Sequence, residues 1–150
     1  MCVPRLVEYL HSSADFEGSH FLDNVDVGGL TFKLSASDHG LSYLLALLNS
    51  RLLRWFFPQV SAPFRGGFRS ANKQFLSLVP FRPMDMSAAS ERAEHDALVR
   101  LVERILSAKR AAPDADTTAL EREIDERVYR LYGLTADEIK LVEESTQSKP

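Results

Sequence analysis

The chain has 150 residues, enough for one domain or for one small domain with an appendage. Its 45% hydrophobic and 26% charged residues are ordinary for a globular protein, and no apolar run approaches the ~18–20 residues that cross a bilayer. The net charge of −3 hides a strong asymmetry: residues 1–50 carry net −4 and residues 85–150 net −5, whereas residues 51–84 carry net +6 with no acid at all.

That positive block consists of Arg51, Arg54, Arg65, Arg69, Lys73 and Arg82. An unopposed cluster of cations in an acidic chain points to a polyanionic partner, because opposed fields steer and orient a charged ligand. The competing reading makes these side chains a solvated face, or pairs them with acids elsewhere in the fold. A single cysteine, Cys2, excludes a disulfide framework. The first residues lack a signal-peptide pattern, and the reading is cytoplasmic.

In chain order, Arg5–His11 alternates imperfectly and fits a short strand or one helical turn. Residues 12–29 read as loop, with glycines, acids and no helical period. Leu30-Thr31-Phe32-Lys33-Leu34 alternates apolar and polar residues, as a half-buried strand does. The stretch Leu41–Phe57, LSYLLALLNSRLLRWFF, is the organising element. Leu41, Leu44, Leu45, Leu48, Leu52, Trp55 and Phe56 recur at helical spacing, and Leu47, Leu53 and Phe57 widen the stripe. The spacing predicts one long helix, capped near Ser37 or Asp38 and ended by Pro58.

A basic, glycine-containing loop follows over Ala62–Ser70, then an expected strand over Phe75–Phe81 and a linker over Pro83–Ala89. From Ser90 onward there is no Phe or Trp, which marks a boundary. Glu91–Ala111 reads as a helix with Leu98, Leu101, Val102, Ile105 and Leu106 on one face. A second helix starts at a Thr118/Glu121 capping box and carries Leu120, Ile124, Val128 and Leu131, with Gly133 as its C-cap. A third starts at Thr135/Glu138 and carries Ile139, Leu141 and Val142. The short connection through Pro113 folds the first two into a hairpin. The expected fold class is therefore α+β: a small sheet packed on a long apolar helix, followed by a helical hairpin and a short third helix. The expected division is 1–84, a helical appendage over 85–146, and a disordered tail over 147–150.

Two stretches carry a resemblance. Leu44-Leu45-Ala46-Leu47-Leu48-Asn49-Ser50-Arg51-Leu52-Leu53, with the basic loop and Val79-Pro80-Phe81 after it, resembles the target-recognition module of restriction–modification enzymes. Leu120-Glu121-Arg122-Glu123-Ile124-Asp125-Glu126-Arg127-Val128-Tyr129-Arg130-Leu131-Tyr132-Gly133-Leu134-Thr135, continuing through Glu138-Ile139, is similar to the end of the TaqI-like C-terminal specificity domain. That domain closes adenine-N6 DNA methyltransferases and single-chain type IIG restriction–modification enzymes, including phage-defence methylases. The resemblance implies a module that reads double-stranded DNA beside a catalytic domain or subunit, which binds S-adenosylmethionine and methylates adenine. The methylase signature Asn-Pro-Pro-Tyr is absent, and no glycine-rich cofactor loop follows a strand. The expectation is thus the last piece of such an enzyme, with no catalytic residues, no cofactor and no metal site of its own.

The DNA-facing candidates are Arg65, Gly66, Gly67, Arg69, Asn72, Lys73 and Gln74, with Arg51 and Arg54 on the central helix. Arginine and lysine neutralise phosphates, while Arg, Asn and Gln also read base edges. Gly66 and Gly67 let backbone approach a groove closely. Phe64 and Phe68 read as anchors holding the loop to the core in preference to intercalating wedges. For Arg51 and Arg54 a structural ion pair competes evenly with a phosphate contact. Asp125 and Glu126 read as surface residues paired with arginines, and Tyr129 and Tyr132 as residues packed on the first module. His11, His20, His39 and His95 lack metal-ligand spacing. The alternative function is a protein-interaction module whose C-terminal helices dock to a separate methylase or restriction subunit, or pair two copies into a homodimer.

Overall fold

A computed structural model describes residues 1–19, 27–30 and 38–147. The described elements are β1 (Cys2–Pro4), β2 (Leu6–Val7), β3 (Val27–Gly29), α1 (Asp38–Asn49), α2 (Arg51–Val60), β4 (Arg69–Ser70), α3 (Lys73–Leu76), α4 (Ala89–Ala111), α5 (Thr118–Tyr132) and α6 (Ala136–Gln147). The fold is α+β. Its strands form two antiparallel pairs: β1 with β3, in the register Val3↔Gly28, and β2 with β4, in the register Val7↔Arg69. Val3, Val7 and Leu10 point from this β-layer into the same core as the apolar helices.

The organising stretch is two helices, not one. Ser50 adopts φ −67° and ψ 152°, outside the helical region, and its hydroxyl accepts the Leu53 N–H at 3.4 Å. A buried serine thereby ends α1 and caps α2. The break resets the helical phase. Leu47, Leu53 and Phe57, which only widened the predicted stripe, are among the deepest side chains, whereas Leu41, Leu44, Trp55 and Phe56 are half-buried. Pro58 does not stop α2, which runs on to Val60. Proline forfeits one hydrogen bond near the helix end, and the Ser61 N–H closes the final turn on the Phe57 carbonyl.

Three further expectations are corrected. Val27–Gly29, read as loop, is β3, held by its antiparallel pairing with β1. The strand expected over Phe75–Phe81 is absent; Asn72 accepts from the N–H groups of Gln74 and Phe75 and nucleates the single turn α3 instead. Gln147 belongs to α6, while 148–150 lie outside the described residues. The strand expected over 30–34 also lies outside them, apart from Leu30.

Local end-chemistry sets the C-terminal helices. Gly133 sits at φ 68°, the left-handed C-cap of α5. Thr135 and Glu138 form the reciprocal capping box of α6 at 2.7 and 3.4 Å. The box expected at Thr118 does not form: Thr117 is the N-cap, its side chain caps no helix N–H, and its hydroxyl donates to the Glu121 carboxylate at 2.6 Å. Arg127 in α5 bridges Glu123 of its own helix and Glu94 near the start of α4, so the two helices run antiparallel. α4 packs on α1 and α5, and α2 packs on α5 and α6. Of the apolar residues carried by α6, Val142 is buried whereas Leu141 is 52% exposed. The buried residues form one cluster reaching from Met1 to Val142.

Candidate nucleic-acid interface

The basic loop is a closed hairpin. Pro63 bridges Arg69, the Phe64 N–H donates to the Phe68 carbonyl at 2.7 Å, and the Ser70 N–H donates to the Ala62 carbonyl at 3.0 Å. Its tip, Arg65-Gly66-Gly67, is one 3-10 turn. Gly66 (φ 77°) and Gly67 (φ 85°) occupy the left-handed region, which costs a residue with a side chain but not glycine. At the base, β4 pairs with β2, and the Ala71 N–H donates to the Arg5 carbonyl at 2.6 Å. The tip is thus displayed on a stalk tied to the β-layer.

The structure divides the candidate residues into two places. In the first are the loop and the turn after it. Arg65, Gly66 and Gly67 are exposed at the tip; Lys73 and Gln74 are exposed at the start of α3. Arg69 is half-buried and donates to the Ser61 carbonyl at 3.3 Å, which steadies the base of the hairpin. The Asn72 side chain caps α3, so its oxygen is already engaged. Arg65, Arg69 and Lys73 have no carboxylate partner among the described residues. Asn72 and Lys73 also border a groove of about 710 Å³ whose floor includes Leu44, Leu47 and Leu53.

Arg51 and Arg54 lie elsewhere, in a cleft of about 530 Å³ among α1, α4 and α5. Arg51 places Nε 3.2 Å from Asp125, and its backbone N–H donates to the same carboxylate at 2.8 Å. The Arg54 guanidinium stands 3.7 Å from the centre of the Tyr9 ring, a cation–π contact. Arg51 is therefore a structural ion-pair residue, as one of the two sequence readings had it. Arg82 pairs with Glu91 at 3.2 Å and makes no part of the free set.

Two expectations about acids and aromatics change here. Asp125 is not on the surface but 6% exposed. Burial pushes its carboxyl up to about 6, and the contacts with Arg51 only partly oppose that rise. Phe64 and Phe68 do not anchor the loop to the core: they are 55% and 38% exposed. Tyr129 and Tyr132 do pack on the first module. Tyr129 is buried, and the Tyr132 hydroxyl donates to the Pro80 carbonyl. The sequence reading missed Tyr9 as the platform for Arg54 and Arg122 as a third cation in the cleft. Nothing local to either residue announces these roles. Among the described residues no three His, Cys, Asp or Glu side chains gather, and no helix is long and apolar enough to cross a membrane.

Asp125 gives the fold a pH dependence with a definite sign. Unfolded, the carboxyl titrates near 3.8; folded, near 6. Between those values the folded chain holds a proton that the unfolded chain has released, so stability from this group is full below about pH 4 and is lost as pH rises through about 6. Asp125→Asn should remove this slope, of order 3 kcal/mol across the window. Urea midpoints at pH 4.5, 5.5 and 7 would check it, and parallel curves for the two proteins would refute the assignment.

Set beside protein families, characterised proteins and solved structures, the chain matches none of them.

Proposed function

We propose that the chain is a DNA target-recognition (specificity) module of the kind that closes adenine-N6 DNA methyltransferases and type IIG restriction–modification enzymes. It binds double-stranded DNA without chemistry of its own and works beside a catalytic domain or subunit that holds S-adenosylmethionine. Loop cations hold phosphates, and polar side chains near them sample base edges. The observation that carries this reading is the pair Arg65 and Lys73, exposed and without carboxylate partners among the described residues. Arg65 stands at the tip of a locked hairpin and Lys73 just beyond its base, within an acid-free stretch. The sequence resemblance over about Leu41–Val142 supplies the type of enzyme.

The alternative, a helical docking or dimerisation module, has less behind it. Much of the apolar stripe of α4 and α5 is turned into the chain's own core. A salt titration of binding to labelled duplex DNA tests the proposal. The logarithm of affinity should fall linearly with the logarithm of salt concentration. Light scattering supplies the contrast: a concentration-independent monomer that binds DNA supports recognition, and a dimer indifferent to DNA supports docking.

A further inference from the structure

We propose that the Phe64–Phe68 tip is a wedge that enters a groove of duplex DNA and parts a base step while Arg65 holds the neighbouring phosphate. This rests on the DNA-recognition reading and adds to it a mode of contact.

Two phenylalanines in solvent forfeit the burial that aromatic rings ordinarily gain, and here they flank an exposed arginine. They are not on a loose strand. The Phe64–Phe68 hydrogen bond and the Pro63–Arg69 bridge close the loop, and β2 holds its base. Insertion therefore costs little further ordering of the loop. A Cβ added at Gly66 would sit 3.6 Å from the Phe68 ring, so Phe68 lies against the turn and braces it. Phe64, the more exposed ring, is the leading edge. Gly66 and Gly67 present bare backbone beside it, with no side chain to hold the tip away from a groove wall.

Charge chooses the occupant. A neutral loop would serve an apolar socket on a protein equally well. An exposed cation between the two phenylalanines in sequence, with Arg69 and Lys73 close behind it in the chain and also without carboxylate partners among the described residues, fits a partner that is anionic outside and aromatic inside. Stacked base pairs between phosphates have that character, and apolar wedges beside basic residues unstack and kink duplexes.

The test uses the full chain and two labelled duplexes of one sequence, one intact and one with a central mismatch. A mismatched step is already partly unstacked, so the wild-type chain should bind that duplex about tenfold more tightly. Phe64→Ala combined with Phe68→Ala should abolish the preference and leave the salt slope unchanged. Phe64→Trp should retain the preference. Equal binding of both duplexes by the wild type, or a preference surviving in the double variant, overturns the wedge and leaves DNA recognition standing. Absence of salt-dependent binding to either duplex removes both together.

Discussion

Phe57→Ala is expected to lower the free energy of unfolding by about 4 kcal/mol, as measured by urea titration. The Phe57 ring is 0% exposed and belongs to α2, the helix that packs against both α5 and α6. Removing it loses the transfer free energy of a buried aromatic side chain, roughly 1.5–3 kcal/mol, and leaves a cavity in the core. Such packing relaxes little, because the neighbouring α2 positions Leu52 and Leu53 are themselves buried. Since a domain is stabilised by only ~5–15 kcal/mol, the variant should melt on the order of 10 °C lower. Phe57→Leu fills most of the volume and should lose far less. A loss below about 1 kcal/mol for the alanine variant would place α2 outside the cooperative core.

The C-terminal helices and the central break show what kind of information a sequence displays. Gly133 and the Thr135/Glu138 box are decided within four residues, so they are readable without knowing the fold. Ser50 obeys the same local chemistry, yet the apolar periodicity around it is strong enough to mask the cap. Asn72 likewise caps a turn that runs into Phe75 and Leu76, the start of the stretch read as a strand. β3 depends on β1, a segment more than twenty residues earlier, and no local preference of Val27–Gly29 announces that pairing.

The candidate interface divides along the same line. The loop's cations and glycines are visible as composition, and the hairpin keeps them in one short segment. The partner of Arg51 is Asp125, 74 positions away, so only the packing of α5 on α2 distinguishes that arginine from a phosphate ligand. The exposure of Phe64 and Phe68 is equally invisible in sequence. A ring at the mouth of a hairpin can turn inward or outward, and the answer depends on the β2–β4 pairing that fixes the stalk.

That division yields the second large effect. Arg65→Ala combined with Lys73→Ala should weaken duplex binding by roughly tenfold to a hundredfold at moderate salt and reduce the magnitude of the salt slope by about two. Each of these side chains is exposed, so replacing it removes a counterion-releasing contact and little packing. Arg51→Ala should behave in the opposite way. Its charge is already opposed by Asp125, so the slope should be kept, while stability falls because a buried carboxylate loses its partner. Comparing the slopes with the melting temperatures separates a binding cation from a structural one. If the loop variant and Arg51→Ala changed the slope alike, the loop would have no special part in holding DNA. If neither changed it, the anion would have to be held by another surface of the chain.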